Sequence, residues 1–184
     1  ATVRMSKNII NVHESAFSNC SVKDYYVSSE VVTQRSVLGV DATAIHFTDG
    51  VKEISSEAFA FKKSIKEISF SDTVETIGSK AFADCKNLNA INVGTALLEV
   101  GSEAFVNCTS LQKVNIKNLH FWCNVRFSDS EANPLYYAQN LYVNDVLVEE
   151  LEIPNGVIAV ENYVFANCKS IKKNFHTEVS ICRE

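Results

Sequence analysis

Six columns of apolar residues repeat with a period of 23 residues through the middle of the chain. The columns are Val51, Val74 and Leu97; Ile54, Ile77 and Val100; Phe59, Phe82 and Phe105; Ile65, Leu88 and Leu111; Ile68, Ile91 and Val114; and Phe70, Val93 and Ile116. A unit of this length cannot bury its own apolar face, so such units stack as the coils of a solenoid. The spacing therefore predicts a repeat architecture, which favours a binding scaffold.

Each unit contains one alternating apolar stretch that predicts a short β-strand. Leu88, Ile91 and Val93 are spaced as the inward face of such a strand. Equivalent strands align as a parallel sheet with about 4.8 Å between neighbours. Opposite the strand, the segment from Ile77 to Phe82 is too irregular for a long helix. We expect a short strand or turn there, followed by one or two helical turns.

Degenerate copies of the unit extend the array in both directions. We divide one domain, residues 1–184, into a degenerate coil at 9–43, regular coils at 45–118, an insertion at 119–147 and a further coil at 148–176. The stretch from Ser21 to Thr43 is expected to be irregular. Val148, Leu151 and Ile153 are expected to form a strand of the last copy. Because the pattern still runs at Ile171, we expect the chain to be part of a longer protein.

The insertion breaks the period and contains the only tryptophan of the chain, Trp122. The segments Leu141 to Val143 and Val146 to Val148 flank the pair Asn144-Asp145, which favours a two-residue type I′ hairpin turn. We expect the insertion either to cap the edge of the sheet or to project a surface of its own.

The composition argues against two classes of partner. The net charge is −5, and Lys and Arg never cluster beyond a pair, so nucleic acid is a poor partner. No apolar run approaches the roughly 20 residues of a membrane span, and the first residues lack the apolar region of a signal peptide.

Four of the six cysteines occupy one position of the repeat, three residues after a Phe: Cys20, Cys85, Cys108 and Cys168. A small, soft side chain at one place in each coil is more economically a packing element than a disulfide partner. We predict reduced, buried thiols at these four positions. The states of Cys123 and Cys182, which lie outside the column, remain open.

The stretch from Val74 to Val93 reads Val-x-x-Ile-Gly-x-x-Ala-Phe-x-x-Cys-x-x-Leu-x-x-Ile-x-Val. It resembles the BspA-type leucine-rich repeats, a family named for a bacterial surface antigen and found also in treponemes and in protists such as trichomonads. The resemblance covers roughly residues 9–20 and 45–176. The Asn133-Pro134-Leu135-Tyr136 segment and the following hairpin are similar to an insertion that recurs in that family.

The resemblance implies an α/β leucine-rich repeat solenoid with the parallel sheet on its concave face and short helical or irregular segments opposite. It also implies a secreted or surface-exposed protein that adheres to matrix proteins, host cells or other microbes. This chain departs from the usual pattern in having only two prolines.

The candidate binding surface consists of outward side chains on the predicted concave face. They are Glu67, Ser69 and Ser71; Ala90, Asn92 and Gly94; Lys113, Asn115 and Lys117; and Glu150 and Glu152. A concave leucine-rich surface commonly holds a protein ligand. The alternative is an ordinary solvated face, because these residues are small, polar and mixed in charge.

The insertion supplies aromatic residues of the kind enriched at binding hot spots: Phe121, Trp122, Tyr136, Tyr137 and Tyr142. Aromatic residues of an insertion more often pack back onto the scaffold. Tyr142, on the hairpin, is the best candidate for an exposed contact.

Catalytic and cofactor motifs are absent from the sequence. It contains no Gly-rich phosphate loop and no Cys-x-x-Cys, and the four histidines fall in different coils. His120-x-x-Cys123 is the only close pair of metal-ligand types, with no second pair at a suitable spacing. Asn19 and Asn107 match the glycosylation pattern, although the repeat itself accounts for both. We expect no enzyme, no cofactor and no metal.

Three functions remain. The first is an adhesion module, extracellular or on the cell surface, that binds a protein, with a glycan as the second choice of ligand. The second is a structural spacer that binds nothing, and the third is an intracellular interaction scaffold, which reduced cysteines would permit. The oligomeric state stays open in each case.

Overall fold

The computed structural model describes residues 1–172, so the end of the predicted coil 148–176 and the state of Cys182 lie outside the described residues. The strands are β1 (Thr2–Arg4), β2 (Val22–Val27), β3 (Val31–Val32), β4 (Ala42–Phe47), β5 (Glu53–Ile54), β6 (Glu67–Ser69), β7 (Thr76–Ile77), β8 (Ala90–Val93), β9 (Glu99–Val100), β10 (Lys113–Ile116), β11 (Arg126–Phe127), β12 (Leu141–Val143) and β13 (Val146–Leu147). The helices are α1 (Gln34–Val37), α2 (Leu119–Trp122) and α3 (Leu135–Ala138), with a 3-10 helix at Ser130–Ala132.

The coils up to Val143 each contribute one strand to a large sheet, which ends with β13 and has the order β1-β2-β4-β6-β8-β10-β12-β13. All neighbouring strands are parallel except the β12–β13 hairpin. Ile68, Ile91 and Val114 lie directly opposite one another and point inward, as the repeat requires. The predicted leucine-rich repeat fold, with its parallel sheet and short elements opposite, is confirmed.

A second, smaller sheet runs along another side of the coils in the order β11-β9-β7-β5-β3. Its strands have two residues each and are all parallel. The strand β7 at Thr76–Ile77 resolves the expected choice between a short strand and a turn, because its backbone pairs with the coils on both sides.

The third side of each regular coil is a wall of turns, defined here as residues 56–61, 79–84 and 102–107. The backbone N–H of Phe59 donates to the carbonyl of Ala81 at 2.7 Å, and that of Phe82 donates to Ala104 at 2.9 Å. Because these N–H groups point at the next coil and not along their own, a helix cannot form. The predicted helical turns around the Ala-Phe pair are therefore wrong for the regular coils.

The N–H edge of this wall ends at the coil that contains Phe105. There the N–H of Phe105 donates to the carbonyl of Glu131, and the N–H of Glu103 donates to the Asp129 carboxylate at 3.1 Å. The N–H of Asn107 donates to the Tyr137 hydroxyl at 3.0 Å. Three acceptors from the following coil thus take the hydrogen bonds of N–H groups that would otherwise donate to the backbone of a further regular coil.

A stack of phenylalanine rings forms the centre of the core. The rings of Phe59, Phe82 and Phe105 lie 5.3 Å apart and within 11° of parallel, and each is at most 1% exposed. A second pair, Phe47 and Phe70, stacks at 5.2 Å and meets Phe82 edge to face. Each buried ring contributes roughly 1.5–3 kcal/mol, so this column supplies much of the cohesion between coils.

The coils differ in length. Ile45 lies opposite Ile68, 23 positions further along, but Val22 lies opposite Ala42, only 20 positions further along. The prediction of an irregular Ser21 to Thr43 is wrong, since β2, β3 and α1 occupy it. A fixed period of 23 residues does not reveal this coil, because the coil is three residues shorter than the period.

The predicted insertion supplies strands to both sheets. Val114 lies opposite Leu141, 27 positions along, so one turn of the solenoid here has four extra residues. In the hairpin, Asn144 and Asp145 have φ of 49° and 66°, which confirms the type I′ turn. The hairpin provides the last strand of the described sheet. By contrast, the predicted strand through Leu151 and Ile153 is wrong, because both residues are half-exposed and neither belongs to a strand of the described region.

Tyr25 is a buried aromatic residue of the short coil. It stands in the isoleucine column of Ile45 and Ile68, and its ring packs edge to face with Phe17 at 6.0 Å. The residue is 1% exposed, and its hydroxyl has no hydrogen-bond partner among residues 1–172. Burial raises the pKa of Tyr25 to about 12. An unpaired buried hydroxyl is destabilising.

Tyr25→Phe should therefore raise the free energy of unfolding by about 1 kcal/mol. The measurement is the urea midpoint at constant m-value. Tyr163→Phe, at a residue that is 47% exposed, is the matched control and should leave the midpoint unchanged. A lower midpoint for Tyr25→Phe would mean that the hydroxyl has a partner and would contradict the prediction.

Phe61 is unusual in the wall. The same position of other coils holds Asn or Asp with positive φ: Asn19, Asp84, Asn107 and Asn167. Phe61 has φ of 64° with a ring 68% exposed, although bulky residues are strained in that region.

Phe61→Asn should therefore stabilise the protein by about 0.5 kcal/mol, since Asn tolerates the left-handed conformation and little ring burial is lost. Thermal unfolding would measure the change, with Asn107→Phe as the reciprocal variant expected to destabilise. If Phe61→Asn lowered the melting temperature, the ring would have to contribute packing that outweighs its backbone strain.

Candidate interaction face

The outward side chains of the large sheet define one surface, called here the outer sheet face. Its central column consists of residues that lie directly opposite one another on neighbouring strands: Arg4, Tyr26, His46, Ser69, Asn92, Asn115, Tyr142 and Leu147. The column follows from the strand period of two, which turns every second residue away from the core.

Most of the predicted site residues lie on this face. Glu67 and Ser69 are on β6, Asn92 is on β8, and Lys113 and Asn115 are on β10. Lys117 follows directly after β10, Ser71 lies two residues beyond the end of β6, and Tyr142 is on β12. Glu150 and Glu152 are exposed but lie outside the sheet, so their placement on a concave strand is wrong.

The polar groups at the centre of the face bond to one another. The amide nitrogen of Asn92 lies 3.1 Å from the Glu67 carboxylate and 3.3 Å from the Ser69 hydroxyl. That of Asn115 donates to the Asn92 side-chain oxygen and to Asp145, both at 3.1 Å. A ligand here would have to compete with these contacts, so the centre of the face offers few unfilled donors.

Both predicted lysines are paired with acids. Lys113 lies 2.7 Å from Asp145, and Lys117 lies 2.6 Å from Asp72. The hydrogen bond from Lys117 lowers the pKa of the Asp72 carboxyl, and the backbone N–H of Thr95 also donates to it. Exposed pairs of this kind contribute little to stability, but they neutralise the charge that a ligand would meet.

A cluster at the opposite end of the face was missed by the sequence reasoning. The guanidinium of Arg4 lies 3.8 Å from the centre of the Tyr26 ring, which stacks on the ring of His46 at 4.6 Å and 23°. The Nε2 atom of His46 is 3.3 Å from the Asp24 carboxylate. Three neighbouring strands of the large sheet, β1, β2 and β4, thus bring together a stack of Arg, Tyr and His side chains, and the Asp24 carboxylate contacts the His at its end.

A weaker counterpart lies at the hairpin end. There the Lys113 ammonium lies 5.0 Å from the centre of the Tyr142 ring. Tyr142 is half-buried, whereas Phe121 is 47% exposed. The preference for Tyr142 as the most exposed aromatic of this segment is therefore wrong.

The other aromatic residues of the 119–147 segment include two that are held by polar contacts to neighbouring coils. Trp122 is 2% exposed, and its indole N–H donates to the carbonyl of Val164 at 3.1 Å. The Tyr137 hydroxyl bonds to Asn107 and Glu131. These rings attach the long coil to the solenoid. For these two residues, packing back onto the scaffold is therefore the correct alternative to an exposed contact surface.

A second feature, on the wall of turns, is a surface groove of about 550 Å³ beside Phe61. The short coil leaves the wall incomplete here, and the Lys62 ammonium bridges the break by donating to the carbonyls of Leu38 and Val40. Burial lowers the pKa of Lys62. Leu38, 41% exposed, lines the groove with Phe61.

The thiols differ more than the repeat predicts. The Sγ atoms of Cys85 and Cys108 each donate to a Phe carbonyl of the preceding coil at 3.2 Å. Burial raises the pKa of Cys85 to about 12, that of Cys123 to about 11 and that of Cys108 further still. Cys168 is only half-buried, and Cys20 is exposed. The burial predicted for Cys20 is therefore wrong.

Two properties of the described region bear on other classes of site. Within residues 1–172, no three His, Cys, Asp or Glu side chains are grouped closely enough to hold a metal ion. None of the described helices is long and apolar enough to span a membrane.

The family model for the BspA type leucine-rich repeat region matches six copies, at residues 1–37, 39–143 and 136–182. These matches cover most of the chain, including all strands of the large sheet. The chain belongs to the BspA-type leucine-rich repeat family, whose repeats are protein-interaction modules.

Two solved structures are similar. One is a leucine-rich repeat protein of T. pallidum, 22% identical, with a TM-score of 0.48 and coverage of 77% of this chain and 60% of that one. The other is a leucine-rich cell surface protein of Faecalibacterium prausnitzii A2-165, 24% identical, with a TM-score of 0.46 and coverage of 71% and 31%. The chain thus spans less than two thirds of either protein. No curated protein matches significantly.

The thiol environments predict a graded reactivity. Cys20 should be alkylated rapidly in the native protein at pH 8, while Cys85, Cys108 and Cys123 should react only after unfolding, since burial holds them in the protonated form. Peptide mapping by mass spectrometry after timed iodoacetamide treatment would assign each site. Fast native alkylation of Cys108 would contradict the packed Phe–Cys column.

Proposed function

We propose that this chain is a non-catalytic, protein-binding adhesion module of a secreted or cell-surface protein, and that it contacts its ligand through the outer sheet face. The observation that carries the proposal is the arrangement of this face. An aromatic ring beneath a cation lies at each end, Tyr26 below Arg4 and Tyr142 below Lys113. Tyr and Arg are the residue types most enriched at binding hot spots.

The dimensions of the face suit a folded protein. Five strand spacings separate β2 from β12 in the sheet order, which corresponds to roughly 24 Å. Two anchors at this separation match a standard protein interface, which buries about 800 Å² on each partner. The self-bonded polar centre would then act as a complementary surface and the two ends as the energetic anchors. Matrix and cell-surface proteins are the preferred ligands, and glycans come second.

Localisation is part of this proposal. Membership of a family named for a bacterial surface antigen supports a secreted or surface-exposed protein. The reduced thiols of Cys85 and Cys108 are compatible with that site because their inaccessibility protects them from oxidation. An intracellular scaffold remains the competing assignment, and a signal or sorting segment in the parent gene would decide against it.

A specific observation favours the spacer as a second function. The central polar ladder through Asn92 and Asn115 and the two neutralised lysines leave the middle of the face with few groups free to bind. A repeat array that only separates other domains needs no more than this.

The test is binding of the full chain to immobilised fibronectin, laminin, type IV collagen and intact host or bacterial cells. Replacing Tyr26 and Tyr142 together with Ala should weaken saturable binding by at least about tenfold, since each hot spot is worth more than 1 kcal/mol. The matched control is Glu53→Ala with Thr76→Ala on the second sheet, which should bind like the unchanged chain. Unchanged circular dichroism must accompany both.

The outcomes separate the two functions. Saturable binding that is lost only in the tyrosine variant supports the outer sheet face. No binding across the panel would favour the spacer, and equal loss in the control would remove the assignment to this face. Reversing Lys113 and Lys117 to Glu is less informative, because it also removes the lysine partners of Asp145 and Asp72.

A further inference from the structure

We propose that the stack of Arg4, Tyr26, His46 and Asp24 is a carboxylate-binding site, which takes an acidic side chain of the protein partner. This inference rests on the proposed function, because it names the chemistry by which the outer sheet face recognises its ligand.

Arg4 is the unpaired cation of the face. The lysines at 113 and 117 have carboxylate partners at 2.7 and 2.6 Å, and His46 lies 3.3 Å from Asp24. By contrast, the Arg4 side chain donates no hydrogen bond and forms no ion pair with any of residues 1–172. A guanidinium has five N–H donors and cannot be deprotonated, so these donors are available to a partner.

The stack holds this cation in place. The Tyr26 ring supports the guanidinium at 3.8 Å and is itself supported by His46 at 4.6 Å, and Asp24 anchors His46. The chain of supports extends over three strands whose register is fixed by the backbone. A flexible Arg would lose side-chain entropy on binding, and a stacked one loses less.

The shape of the free edge selects the ligand. A guanidinium that lies over a ring keeps its N–H edge in its own plane, where it matches the two oxygens of a carboxylate. The Tyr26 hydroxyl, which has no partner among the described residues, is a further donor on the same stack.

The charge distribution favours an acidic protein residue over a polyanion. The site has one free cation on a chain of net charge −5, which would repel a sulfated glycan or a phosphate-rich membrane. Such ligands require several cations close together. A single carboxylate within a largely neutral interface needs only one cation, and Arg4 supplies it.

The experiment uses the full ¹⁵N-labelled chain and the blocked pentapeptide Gly-Tyr-Glu-Tyr-Gly, with its Gln analogue as the neutral comparison. The Glu peptide should shift the backbone amide resonances of Arg4, Tyr26 and His46 and the side-chain nitrogen resonances of Arg4 and His46. It should bind about fivefold more tightly than the Gln peptide. Arg4→Gln should abolish this preference, and Arg4→Lys should reduce it, because Lys keeps the charge but not the planar fork.

The matched control is Arg126→Gln, at an arginine of the second sheet that already pairs with Glu99 at 3.4 Å; it should leave the preference unchanged. Equal binding of both peptides, a preference that survives Arg4→Gln, or no shift at these residues would overturn the proposal. Preferential binding of a heparin oligosaccharide or of phosphatidylserine vesicles would also overturn it, in favour of a polyanion site.

The failure of this inference is distinguishable from that of the proposed function. A panel protein that binds the outer sheet face equally well with Arg4→Gln would leave the function intact and remove the carboxylate site. Selective binding of the Glu peptide without binding of any panel protein would support the carboxylate site and count against the proposed function.

Discussion

The structure depends on the contact between one coil and the next. No coil buries its own apolar face, and each Phe of the 59, 82 and 105 column is covered in part by the neighbouring rings of the column, which stack on it at 5.3 Å. Backbone hydrogen bonds reinforce this contact on all three sides, through two sheets and the wall of turns. Cohesion is therefore a nearest-neighbour property, and irregular coils must preserve the same contacts with different residues.

The irregular coils show how this is done. Tyr25 of the short coil packs its ring against Phe17, and Lys62 bridges a break in the wall with its ammonium group. At the other end, Asp129 and Tyr137 accept hydrogen bonds that a regular coil would take with its backbone. Side chains thus substitute for backbone wherever the repeat length changes, and this requirement accounts for much of the unusual composition of residues 119–147.

The 23-residue period predicted the strand positions and the inward columns because burial repeats wherever the coil length is constant. It failed where length changes: β2 was hidden by a 20-residue offset, and Glu150 and Glu152 were placed on a strand that does not exist. The hairpin at Asn144-Asp145 was predictable, since its turn conformation is a local property of two residues. The Arg4–Tyr26–His46 cluster was not, because it depends on the register of three strands, and the chain position of Arg4 gives no indication of that register.

The direction of the wall hydrogen bonds has a consequence for how such a protein changes in length. In every regular coil alternate N–H groups of the wall point toward the C-terminal neighbour, and the last set of these groups is capped by Asp129, Glu131 and Tyr137. A duplicated or lost 23-residue unit between Phe59 and Phe105 would present the same donors to the same cap. Unequal recombination in this interval can therefore lengthen or shorten the module in whole coils, changing the distance between the two ends of the outer sheet face while both ends keep their chemistry.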